Sequence, residues 1–136
     1  MKKVFNAEKK LYEAQLTEEH IVRQIMEGLA LHRDIRVWRI VERIPWGKKA
    51  STAGISDIQG LLLAPWYKCE YMPGGTTGHA IPFPMPFFIE VKKPGGRATW
   101  AQIDFIEQRQ REGCIACFAY GWDDVVKAFA EKGIKL

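Results

Sequence analysis

Phe87-Phe88-Ile89-Glu90-Val91-Lys92-Lys93-Pro94-Gly95-Gly96 is the stretch that decides the fold. Phe87, Phe88, Ile89 and Val91 are strand formers, and the Pro-Gly-Gly turn ends the strand. Side chains alternate along a strand, so Glu90 and Lys92 share one face while Ile89 and Val91 take the other. A carboxylate and an ammonium side by side at the end of an apolar strand mark a candidate site. Upstream, Gly54-Ile55-Ser56-Asp57 opens a second apolar run, Ile58-Gln59-Gly60-Leu61-Leu62-Leu63. If Asp57 reaches the same place from a neighbouring strand, the set becomes two hard oxygen ligands for Mg²⁺ plus one cation. That is the equipment of metal-assisted phosphodiester cleavage. Singly, each residue has a plainer explanation: Asp57 as a turn residue, Glu90 and Lys92 as a surface pair.

Working outward, helix and strand signals alternate. Thr17 is a good N-cap for a helix reaching to about His32, with an apolar stripe of Ile21, Val22, Ile25 and Leu29. Arg36–Ile44 has strand composition and stops at Pro45, and a second strand is expected over about Asp57–Ala64. The third strand covers Phe87–Lys92. A helix follows from about Trp100 to Glu112 behind Thr99 as N-cap, then a strand over Ile115–Tyr120 and a helix from Trp122. Residues 1–16 form a charged extension, and residues 65–86 a long Pro/Gly-rich loop, a length that is often functional. The expected order is α-β-β-β-α-β-α, a mixed α/β fold with one central sheet flanked by helices.

At 136 residues the chain suits a single domain, and 47% apolar residues with five tryptophans argue for a packed core. A formal charge of +4 permits a polyanionic partner without requiring one. No apolar run approaches a membrane span, and no signal peptide is recognisable, so a cytoplasmic protein is expected. Three cysteines do not suit a disulfide framework. Cys114 and Cys117 with Cys69 and His79 make a zinc site only on paper. Residues three apart on a strand diverge, so buried free thiols are the better reading. His20, His32 and His79 show no arrangement suited to metal-independent RNA cleavage.

Two further polar residues fall among apolar ones. Glu18 lies at helical spacing before Ile21, Val22, Ile25 and Leu29, so it either enters the site or sits solvated in the first turn, where an acid favours the helix dipole. Glu19 is expected to pair outward with Arg23. Gln102 shares a face with Phe105, Ile106 and Arg109. It either points its amide at the site or completes a capping box with Thr99.

The succession of Glu18, Gly54-Ile55-Ser56-Asp57, Glu90-Val91-Lys92-Lys93-Pro94-Gly95-Gly96 and Thr99-x-x-Gln102-x-x-Phe105 resembles the VRR-NUC domain. This branch of the PD-(D/E)XK nuclease superfamily occurs in phage and bacterial proteins and in a eukaryotic interstrand-crosslink repair nuclease. The likeness runs from about Thr17 to Phe129. It implies a restriction-endonuclease-like core, with Asp57, Glu90, the Val91 carbonyl and Glu18 holding Mg²⁺ or Mn²⁺. It also implies Lys92 as the motif lysine and Gln102 as the motif glutamine, a supporting or phosphate-positioning residue. Ser56 stands where the superfamily pattern has proline.

The resemblance further implies a structure-selective DNA endonuclease, with junction resolution by a homodimer as one form. It would work in a bacterial cell or a phage-infected host. Lys48, Lys49, Lys93 and Arg97, with Arg36, Arg39 and Arg43, are candidate phosphate contacts. Trp46 and Trp66 are candidate stacking residues. The rival is a catalytically silent nucleic-acid-binding module or an accessory subunit of a replication or repair complex.

Overall fold

The computed structural model describes residues 16–40, 56–63 and 84–136. The elements are α1 (Glu18–Ala30), β1 (Ile35–Arg39), β2 (Ile58–Leu62), β3 (Met85–Val91), α2 (Trp100–Arg111), β4 (Ile115–Ala119) and α3 (Trp122–Ala130). The order α-β-β-β-α-β-α is the one the periodicity predicts. The strands form one four-stranded sheet in the order β1-β2-β3-β4. β1–β2 and β2–β3 are antiparallel and β3–β4 is parallel, with α2 as the crossover.

Alternation divides the sheet into two faces. Ile35, Ile58, Leu62, Met85, Phe87, Ile89, Val91, Ile115 and Ala119 lie on one face, under α1 and α3. Ile21, Val22, Ile25 and Leu29 of α1 and Val125 and Phe129 of α3 close this core, and Phe129 meets Phe87 edge-on at 5.3 Å between ring centroids. Gly60 is needed by this packing, because a Cβ there would overlap the Phe87 ring and the Arg36 carbonyl oxygen. The opposite face of β3 and β4 is covered by α2. Phe105 packs edge-on against Phe88 at 5.5 Å, and the Arg109 guanidinium lies over both rings.

The helix ends follow their sequence signals. Thr17 and Thr99 each accept a hydrogen bond from the backbone of the third helical residue, and each closes a reciprocal capping box, with His20 and Gln102 respectively. Gly113, at φ +86°, ends α2 with bonds from Gly113 N to Gln110 O and from Cys114 N to Arg109 O, a Schellman arrangement.

Two boundaries differ from expectation. β3 begins at Met85, so Pro86 lies inside a strand and not in a loop. The pairing with β4 starts only at Phe87, so Pro86 lies where β3 has no partner on that side and its missing N–H costs nothing there. β1 is Ile35–Arg39, with residues 41–44 outside the described ones.

Candidate active site

The site is assembled at the paired ends of β2 and β3. Ile58 lies opposite Ile89 in the antiparallel register, so Asp57, one step earlier, falls opposite Glu90. Ser56 is fully buried behind this turn, and its hydroxyl donates to the Ile58 carbonyl at 3.4 Å. The backbone N–H of Val91 donates to Asp57 Oδ2 at 2.9 Å, which fixes the carboxylate against β3. Glu90 and Lys92 point together to the α2 face, as alternation requires, and both are buried: 3% and 8% exposed. Lys92 Nζ lies 3.6 Å from Glu90 Oε1.

Gln102 joins the two elements. Its Oε1 accepts from Thr99 N at 2.9 Å while its Nε2 donates to Glu90 Oε1. The two roles read from the sequence as alternatives are therefore held at once, one by each end of the amide. The capping box sets the rotamer that aims the NH₂ at the acid.

Burial is the largest cause raising Glu90 to a pKa of about 7, followed by repulsion from Asp57, with Lys92 pulling the other way. Burial also raises Asp57, opposed by the Val91 N–H, with Glu18 repelling and Lys92 and Arg39 attracting. Two carboxylates facing each other in a partly dry site thus resist holding both charges, and a divalent cation is the natural relief for such a pair.

Glu18 is placed differently from the pair. It is exposed at the first position of α1, not on the buried stripe, because the apolar face begins only at Ile21. Its charge still reaches both acids, raising Asp57 and Glu90. Among the described residues no group of three or more His, Cys, Asp or Glu side chains converges on one metal position. Among the described residues the carboxylates that meet at this strand end are therefore two, Asp57 and Glu90. That number suits Mg²⁺, which commonly keeps several waters and takes the rest of its shell from substrate phosphate.

The expected outward pairing of Glu19 with Arg23 gives way to a longer-range partner. Arg39 grips the Glu19 carboxylate through both terminal nitrogens, at 2.8 and 2.6 Å, and this bond is the first cause lowering the Glu19 pKa. β1 brings a bidentate guanidinium to α1, which the shorter-range helix pair does not match. Arg39, expected on phosphate, is thus committed to Glu19 and also lies within electrostatic reach of Asp57. Arg36 donates to the carbonyls of Arg33 and Ile35 at 2.9 and 3.3 Å.

Lys93 and Arg97 are exposed on the segment after β3. Lys48, Lys49, Arg43, Trp46, Trp66, Cys69 and His79 lie outside the described residues. Cys114 and Cys117 are free thiols but half-buried, not fully buried as expected, with Cys114 one residue ahead of β4, and burial pushes the Cys117 thiol up to about 12. What sequence reasoning missed is the part played by Arg39 and by the Val91 N–H. The first is set by a contact across twenty residues and the second by strand register, and neither leaves a local motif.

The chain matches no protein-family model, no curated protein and no solved structure.

Proposed function

We propose that the protein is a divalent-metal-dependent endonuclease of DNA, of the VRR-NUC type, selective for branched or otherwise structured substrates. The observation that carries the reading is the meeting of Asp57, Glu90 and Lys92 at one strand end. One acid is held by a backbone N–H, and the other by both Lys92 and a capped glutamine. Such a constellation is costly for the fold, since it places three ionisable groups where two are buried.

Asp57, Glu90 and the Val91 carbonyl are the groups that would hold Mg²⁺ or Mn²⁺. Bound there, the cation would polarise the scissile phosphate and lower the pKa of the attacking water. Lys92 holds an ammonium beside Glu90, which among the described residues is its one salt-bridge partner, and its charge also reaches Asp57. From there it orients the water or balances charge that develops on the phosphate oxygens. Gln102 keeps the Glu90 carboxylate aimed, and Glu18 adds negative potential from the solvent side, which favours retention of the cation. A symmetric homodimer would present two such sites to two strands of a junction.

The test is cleavage of labelled duplex, single-stranded, flap and four-way-junction DNA with Mg²⁺, Mn²⁺ or EDTA, beside Lys92→Ala and Asp57→Ala. Metal-dependent cutting that falls by at least about a hundredfold in both variants supports the reading, the scale expected for a lost acid–base or electrostatic group. Binding without cutting in either metal favours the silent module or accessory subunit. Sedimentation of the free protein decides the homodimer.

A further inference from the structure

The turn that follows β3 carries exposed side chains with no part in the chemistry just described. Trp100, the first residue of α2, is 86% exposed, and Tyr120, one residue past β4, is 47% exposed. Tryptophan brings a large apolar area and is highly buried on average, so a ring left this open at an element boundary marks a contact surface.

Both rings flank the segment 94–99. The Tyr120 hydroxyl donates to the Gly96 carbonyl at 3.5 Å, and its backbone N–H donates to Asp124 Oδ2 at 2.8 Å. Tyr120 is thereby held against one side of the segment, and Trp100 stands at its far end. Lys93 and Arg97 are exposed on the segment itself.

This surface is tied to the site from both ends. Lys92 N donates to the Ala119 carbonyl at 3.0 Å, next to Tyr120. Thr99 forms the cap that aims Gln102 at Glu90. Trp100 precedes Gln102 by two residues, so the two side chains leave α2 about 200° apart, and Trp100 sits across the helix from Glu90, roughly one helix diameter of 10 Å away. The nearby carboxylates also set a direction. Asp104, one turn beyond Trp100, and Asp123, at the start of α3, are exposed. A phosphate backbone is therefore favoured over Lys93 and Arg97 and disfavoured beside Asp104, which shares the Trp100 face of α2, and beside Asp123.

Resting on the nuclease reading, we propose that Trp100, Tyr120, Lys93 and Arg97 form a platform for unpaired nucleotides beside the site. The preferred DNA then carries a single-stranded stretch next to the cut. An unpaired base has two open faces to stack on an aromatic ring, whereas a base inside a duplex has both taken by its neighbours. Aromatic faces alongside a cationic track are the general design for holding single strands.

The test is fluorescence anisotropy of a labelled single-stranded oligonucleotide and of its duplex, in EDTA so that binding is read without cleavage. Trp100→Ala is expected to weaken single-strand binding by about tenfold or more, with Trp100→Phe retaining most of it. Duplex binding should change little, and Lys93→Ala with Arg97→Ala should flatten the salt dependence. At its exposure, replacing Trp100 is expected to leave the melting temperature unchanged, and a thermal melt of each variant checks that the fold is intact. Unchanged single-strand affinity in both Trp100→Ala and Tyr120→Ala overturns the proposal. So does the absence of single-strand binding by the wild type. A change in the free protein's sedimentation with no change in DNA affinity also overturns it, by assigning the patch to a protein contact. The two readings separate cleanly. Absent cleavage with ring-dependent strand binding removes the nuclease and keeps the platform, while intact metal-dependent cleavage with ring-independent binding does the reverse.

Discussion

Glu90 holds the largest resolved perturbation among the acids of the site, and its consequences run in a definite direction. Its folded pKa of about 7 lies above the ordinary 4.5, so the folded chain binds its proton more tightly than the unfolded chain does. Without metal, stability from this group is unaffected below about pH 4.5, falls as pH rises toward 7, and stays reduced above it. The loss is up to about 3 kcal/mol at roughly 1.4 kcal/mol per pKa unit. Asp57, also raised, acts in the same sense. Glu19 is lowered by Arg39, and its contribution is present above the ordinary carboxylate range and lost in acid. Urea unfolding in EDTA between pH 5 and 8 should therefore show stability declining with pH, with a flatter slope in Glu90→Gln. An equal slope in the variant would place the titration elsewhere. A cation held by Glu90, as proposed, would have to displace the same proton, so apparent Mn²⁺ affinity is expected to climb through neutral pH. Of these residue-scale features, the pairing of Glu90 with Lys92 is visible in sequence because alternation alone puts them on one face.

At the scale of elements, α2 is at once a structural crossover and a supporter of the site. Gln102→Ala removes a capping partner and a hydrogen bond to Glu90, a loss of about 1–3 kcal/mol. Gln102→Glu separates the two roles, because a carboxylate still accepts from Thr99 N but faces Glu90 with an oxygen. The Glu variant should keep its helix content and yet lose stability above pH 7, recovering toward pH 6. A purely capping role predicts wild-type stability at both. Gly60, in the middle of β2, has no such substitute. Any Cβ there meets the Phe87 ring and a backbone oxygen that cannot turn aside, so Gly60→Ala is expected to cost about 3 kcal/mol or more, read by chemical denaturation. The type and order of the elements were legible, since caps, turns and periodicity are local signals. The start of β3 was not. Pro86 reads as a breaker until the staggered ends of β3 and β4 show that it has no partner on the β4 side to fail.

For the whole molecule, a bound cation is linked to folding by mass action. Mn²⁺ at a hundredfold excess over its dissociation constant should add about 2.7 kcal/mol and raise the melting temperature by several degrees. Asp57→Ala should abolish the rise, and an equal rise in the variant would put the metal elsewhere. No described helix is long and apolar enough to cross a membrane. The sequence by itself determined which segments become helices and strands, which face of β3 carries Glu90 and Lys92, and where α1 and α2 begin. Those properties depend on neighbours within a few residues. Only the tertiary structure decided that β2 runs antiparallel beside β3 with Asp57 opposite Glu90, that Arg39 closes on Glu19, and that Glu18 stays in solvent at the rim. Each of these depends on strand register and helix placement, which the packing of distant apolar side chains fixes and no local pattern encodes.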